Sequence, residues 1–322
     1  MAAYKTLKGQ SIRQVAQDPT NPIVGEIWYN TTLGVLKGYQ VVAAAFSSGG
    51  NLNTAKGAMG FTGDTDTAFA FAGAPTNATA EQYNGSTWAE VNDLNTARGY
   101  LAGAGTQTAG LGFGGYVSGG DRYKNLSEEF DGSSWSEGNN LNTGRDILAG
   151  CGTQTAGLAF GGYDGSSNNA QTEEYDGTSW AEQNDLNTAR RALSGAGIQT
   201  AALAIAGNVG PNSNLTEEYD GTSWTASNNL NTGREMVATA GIQTSAIAMG
   251  GNIPPNTSQA EQYDGTSWTT SAATTSTSRD SAGGAGASST SALVFGGRTP
   301  SFTTATEEFT GTFNAAKKIT TS

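Results

Sequence analysis

A chain of 322 residues carrying a net charge of −12, with only 14% charged residues, offers no basic face for nucleic acid or for an anionic membrane. It contains no histidine and a single cysteine, Cys151. Ser–His and Cys–His nucleophile pairs, thiolate metal clusters and an internal disulfide are therefore excluded. No apolar run marks a signal peptide or a membrane span, and neither a cofactor nor a metal is expected.

Residues 1–38 do not repeat. Pro19, Pro22 and the polar stretch 17–21 read as linker, and residues 25–37 read as a β-hairpin turning around Asn30–Gly34. From residue 39 to residue 313 one pattern recurs six times, and a period near 45 residues points to a propeller or another repeat array. A basic residue opens each unit, at Lys56, Arg98, Arg145, Arg190, Arg234 and Arg279. A Gly-Gly or Ala-Gly pair follows, ending at Gly73, Gly115, Gly162, Gly207, Gly251 and Gly297. Then comes Glu-x-Tyr/Phe (Glu81, Glu128, Glu173, Glu217, Glu261 and Glu307), and in five units a tryptophan, from Trp88 to Trp268.

Strict alternation, as in Gly110-Leu111-Gly112-Phe113, is a strand pattern, and Asp-Gly or Asn-Gly before the tryptophan makes a tight hairpin. Each unit thus reads as four short antiparallel strands, a to d. The expected fold is all-β: a six-bladed propeller of four-stranded antiparallel blades with a short N-terminal extension. Residues 314–322 are expected to be a C-terminal tail. Each tryptophan of the first four units lies six residues before a leucine, and Phe46 stands six before Leu52. A strand around 41–46 is therefore expected to complete the sixth blade, with Phe313 as the competing candidate.

The diglycine, Tyr-Asp, Trp and Arg of residues 40–313 resemble the kelch repeat of galactose-oxidase-like propellers. Two departures stand out: the Tyr-to-Trp spacing is about one residue short, and two units have Ala-Gly. The copper oxidase branch of that family needs histidine ligands and is excluded. The Gly-Glu-Ile-Trp-Tyr-Asn run at 25–30 resembles segments of bacteriophage structural and fibre proteins. That resemblance implies a virion protein whose residues 1–38 dock to other virion proteins.

In a four-stranded meander the b–c and d–a loops share one face. The b–c loops vary most, and variation on a constant scaffold is where recognition concentrates. Candidate ligand-binding residues there are Tyr116, Arg122, Tyr123 and Lys124 in the longest loop, beside Asp121, and Tyr163 and Asp164 in the next. The ring of Lys56, Arg98, Arg145, Arg190, Arg234 and Arg279 is either an anion pocket or, matched one-to-one by six glutamates, a set of internal ion pairs. The tryptophans read as packing between blades and Cys151 as a small core residue. Glu128-Glu129 and Glu173-Glu174 alternate across a strand and so make poor paired acid–base catalysts.

The expected role is a non-enzymatic one in the virion: a tail, fibre or surface protein whose propeller attaches to host glycan or to a neighbouring virion protein. The alternatives are a decoration protein without ligand, or a glycan-active hydrolase or lyase using Asp and Tyr. The chain would be made in the host cytoplasm without a signal peptide, with a homo-oligomer left open.

Overall fold

The computed structural model describes residues 12–119 and 122–319. Asp121, residues 1–11 of the expected docking segment and residues 320–322 of the expected tail lie outside the described residues. No helix occurs among the described residues, so none is long and apolar enough to cross a membrane.

Six four-stranded sheets are expected from the repeat; among the described residues there are seven. They fall into two compact units, residues 46–310 and residues 1–45 with 311–322. The additional sheet belongs to the second of these and has no counterpart in the repeat. Its strands are β1 (Arg13–Val15), β2 (Ile27–Asn30), β3 (Val35–Val42) and the C-terminal strand Phe313–Lys318. β1 runs parallel to β2, and the other two pairings are antiparallel.

The β2–β3 hairpin turns where the sequence places it, with Asn30 Oδ1 accepting the N–H of Leu33 and Gly34 at φ +66°. Asp18 organises this unit. Its carboxylate accepts from Trp28 Nε1 (3.0 Å), Asn30 Nδ2 (2.9 Å) and Lys37 Nζ (2.5 Å). Those donors, Lys37 first, hold it down to about 2. Residues 314–318 are no tail: they pair with β3 from Lys37 to Val41. Val41 and Val42 are consequently taken by β3, and the strand that completes the last repeat starts later, as β4 (Ala45–Ser48).

The six repeats fold alike. In the third, strands Ala149–Thr153, Ala156–Phe160, Thr172–Tyr175 and Trp180–Gln183 form one antiparallel meander. The Asp176 carboxylate accepts the N–H groups of Thr178 and Ser179 while Gly177 takes φ +86°, which closes the c–d hairpin. Strand a must be thin because the preceding repeat presses an aromatic ring against it: a Cβ on Gly150 would lie 2.4 Å from Phe113 Cζ. Two repeats depart from this pattern: Phe61 in repeat one and Thr239 in repeat five stand in the glycine slot, and the preceding repeat offers Thr239 an Ile205 in the place of the ring. The Thr239 hydroxyl donates to Gly195 O at 2.7 Å.

In most repeats a tryptophan and a turn glutamine stitch the repeat to its predecessor. The Trp180 ring lies 4.9 Å from Phe113, and its Nε1 donates to Ser127 Oγ of the preceding repeat at 2.9 Å. Gln154, in the a–b turn, donates to Gly110 O and Phe130 O of that same repeat.

The six strands a stand side by side in a cycle that returns from the last repeat to the first. A belt of backbone hydrogen bonds closes it. Tyr100 N–H donates to Ala58 O, Ile147 to Tyr100, Ala192 to Ile147, Met236 to Ala192, Ser281 to Met236 and Ala58 to Ser281, all at 2.7–3.0 Å. Each of these residues lies two beyond its repeat's basic residue and is left-handed, with φ from +46° to +59°. A side chain in that region costs roughly 1–2 kcal/mol, a strain the belt itself holds in place.

Candidate functional site

The six basic residues do not form an anion pocket. Each side chain is at most 1% exposed and faces the glutamate of its own repeat, as in Lys56–Glu81 (3.1 Å), Arg98–Glu128 (3.0 Å), Arg145–Glu173 (3.0 Å) and Arg234–Glu261 (3.1 Å). Arg190–Glu217 and Arg279–Glu307 complete the set. The remaining oxygens and protons are used as well. Glu173 Oε2 accepts from Asn142 N and Nδ2, and Arg145 Nη1 donates to Gln171 O. The basic residue therefore binds strand c and the Leu-Asn-Thr loop into one rigid corner. Burial lowers the pKa of all six, that of Arg279 to about 10.

The second carboxylate of each Glu-Glu pair serves a different joint. Glu129 accepts from Tyr175 OH, and Glu174 accepts from Tyr219 OH at 3.0 Å, each hydroxyl coming from the next repeat. Cys151 is 7% exposed opposite Leu158, and burial pushes its thiol up to about 12. Among the described residues no group of three or more His, Cys, Asp or Glu side chains could hold a metal ion.

The d–a and b–c loops do share a face, bridged pairwise by Gly99↔Tyr116, Asp146↔Tyr163, Arg191↔Asn208 and Asp280↔Arg298. Four of the candidate residues meet there. Tyr123 and Tyr163 stack edge to face with centroids 5.7 Å apart, and the Arg122 guanidinium lies 6.0 Å from the Tyr116 ring. A residue missed by sequence reasoning joins them: Arg191, from repeat four, lies 5.0 Å from the Tyr163 ring. The other two candidates stand differently. Asp164 accepts the N–H groups of Ser166 and Ser167 and shapes its own loop. Lys124 anchors its loop through its backbone, donating to Gly115 O and accepting from Arg145 N.

Beneath this cluster lies Asp146, 5% exposed, whose Oδ1 is buried and accepts no hydrogen bond from the protein. Burial raises its pKa to about 7, opposed by Arg191. Residues 46–310 contain ten basic residues, six of them in the buried pairs. The other four, Arg122, Lys124, Arg191 and Arg298, all lie on this face.

At the centre of the face opens a cavity whose rim consists of the six belt residues, Ala58, Tyr100, Ile147, Ala192, Met236 and Ser281. The residue after each of these also lines it: Met59, Leu101, Leu148, Leu193, Val237 and Ala282. The walls are thus apolar under a rim of six positions with five different residue types. A second cavity opens at the a–b end, lined by small residues such as Gly105, Cys151 and Gly241. Sequence reasoning missed the rim entirely. The signal available was the position two past each basic residue, where glycine never occurs.

No family model and no curated protein matches the sequence. The solved structure of YjhT superimposes with a TM-score of 0.67 at 12% identity, covering 84% of this chain and all of that one. The fold is a β-propeller. At that identity the likeness is one of fold alone, so the propeller's chemistry has to be read from its own loop face.

Proposed function

We propose that this chain is a non-catalytic binding module whose propeller recognises a surface glycan through the b–c/d–a face. We further infer that the six sheets of residues 46–310 are its kelch-type blades, the seventh sheet being part of the other unit. One observation carries the reading. Strands, hairpins, ion pairs and inter-repeat contacts recur from repeat to repeat, and departures from that symmetry gather on one face. That face holds the tyrosines, the four remaining cations and the cavity. A passive decoration would have no reason to vary there more than elsewhere. Tyrosine rings with a few polar groups around an apolar depression suit a sugar, which presents both C–H and O–H surfaces.

The second unit is read as the docking element to a phage virion. The support is its Gly25–Asn30 pattern, in which Trp28 and Asn30 serve the Asp18 hub, and its separate sheet. Titrating the full-length chain onto intact candidate host cells and onto their extracted glycans tests the proposal. Saturable binding that weakens at least tenfold in Arg122→Ala/Arg191→Ala is expected. Absence of saturable binding to every candidate surface would overturn it.

A further inference from the structure

Three features of the cavity rim point to what it accepts. First, among the described residues glycine takes 26 positions of positive φ, so glycine is this chain's ordinary solution for a left-handed backbone. All six belt positions are left-handed as well, yet each keeps a side chain despite the strain. A side chain retained six times where glycine would fit better is there for what it contacts, since the belt itself is made by backbone atoms alone.

Second, the rim residues are unequal in size. The cycle runs Ala58, Tyr100, Ile147, Ala192, Met236, Ser281, so residues three apart face one another across it. Ala58 opposes Ala192, while Tyr100 opposes Met236 and Ile147 opposes Ser281. Ala58, Ala192 and Ser281 are small while Tyr100, Ile147 and Met236 are large, so the opening is wider along the Ala58–Ala192 line than along the Tyr100–Met236 line and forms a slot.

Third, the slot has an apolar floor, with Leu101, Leu148, Leu193 and Val237 below the rim. Polar groups stand at or just outside it. Ser281 Oγ donates to Asp280 Oδ1 at 2.8 Å, and Asp146, next to Ile147, keeps its buried Oδ1 without a hydrogen-bond donor. A hydroxyl placed in such a well loses water and gains no partner, whereas a methyl group gains burial.

We infer that this slot is a specificity pocket for a pyranose bearing a methyl group, either the acetamido methyl or the C6 methyl of a 6-deoxy sugar. The methyl enters between Ile147 and Met236, and the ring's hydroxyls stay above the rim, toward Ser281 and the polar loop residues outside it. This rests on the proposal that the face binds glycan. Matched sugars test it: N-acetylglucosamine against glucose, and L-fucose against L-galactose, each competing for binding of the full-length chain to host cells.

In at least one pair the methyl-bearing sugar inhibits at about one tenth the concentration of its partner or less, and the pair that discriminates identifies the methyl. Ile147→Gly/Met236→Gly abolishes that preference without lowering the melting temperature, because glycine suits the left-handed backbone. Ser281→Leu, which fills the slot, abolishes inhibition by the methyl-bearing sugar. Equal inhibition within both pairs, or a preference that survives the double glycine variant, overturns the inference. If cell binding stays saturable in that case, the binding module itself stands; with no cell binding, both fail.

Discussion

Asp146 and Asp280 fill the same position in repeats three and six, yet only Asp280 meets a cation, the Arg298 guanidinium at 2.9 Å. In repeat three the cross-strand slot of Arg298 is taken by Tyr163, and Arg191 lies over that ring instead. One repeat thus carries a compensated buried carboxylate and the other an uncompensated one.

A pH dependence follows. With its pKa raised to about 7 in the folded chain, against an ordinary 3.8, Asp146 keeps its proton where the unfolded chain has already lost it. Stability therefore falls as pH rises from about 4 to about 7 and then levels off. Asp146→Asn should change little near pH 4 and stabilise by on the order of 1–3 kcal/mol near pH 8. Denaturant midpoints at the two pH values check this, and parallel profiles for the two proteins would refute it.

The Arg145–Glu173 pair sets the cost of breaking one corner. Arg145→Met leaves a buried carboxylate facing an apolar chain and should cost about 3–5 kcal/mol. Arg145→Met/Glu173→Leu should recover part of that, less the hydrogen bonds that Asn142 gives to Glu173. A double-mutant cycle by urea unfolding measures the coupling. Additive losses would show that the two charges do not depend on each other.

β4 supplies the fourth strand of the last repeat's sheet, with Phe46 4.9 Å from Phe309 and Gly49 N–H donating to Thr306 O. A chain of residues 45–311 should melt cooperatively as a monomer. A chain starting at residue 51 should melt lower by roughly 5 °C or more and self-associate through the uncovered strand Thr306–Thr310. Calorimetry and light scattering distinguish the two. Equal melting temperatures would mean that β4 is dispensable for the ring.

Gly165 permits the contact between the second and third b–c loops, since a Cβ there would come within 2.4 Å of Tyr123 Cε2. Its φ of +98° adds backbone strain to any substitution. Gly165→Ala should cost about 1 kcal/mol and swing Tyr123 off Tyr163, reducing cell binding while the other five repeats stay intact. Loss of the Tyr123–Tyr163 ring contact in NMR spectra reports the movement directly. An unchanged contact would show that the loop yields elsewhere.

Much of this architecture was legible from period and spacing, because each landmark does the same task in every repeat. Trp88 to Trp268, the Asp-Gly turns and the Glu-x-Tyr strands depend on contacts at fixed sequence separations. The six-residue step from Phe46 to Leu52 even exposed the closing strand, though not its start at Ala45. The seventh sheet stayed hidden because β1, β2, β3 and Phe313–Lys318 meet once, with no repeat to reveal the pairing of Lys318 with Lys37. At the site, Tyr116, Arg122, Tyr123 and Tyr163 stood out as loop residues of unusual chemistry. Arg191 did not, because it follows Arg190 and reads as part of the repeat's basic position. The left-handed backbone of Tyr100 or Ile147 has no local sequence cue at all.

Both connections of the repeat array to the rest of the chain leave from a single sheet, at Ala45 and Thr310. Tension applied between the chain's two ends therefore does not pull on six repeats in series, as it would in a linear solenoid. It falls first on the sheet that pairs β3 with Phe313–Lys318 and, once that has parted, on one seam of the array, the junction of β4 with Thr306–Thr310, while the belt through Ala58 and Ser281 holds the remaining repeats out of the load path. The array should withstand extension as one body up to the rupture of that seam, then come apart from the sixth repeat inward. The resistance of the array itself to such a pull would then be set by the four residues of β4 at the start of the ring.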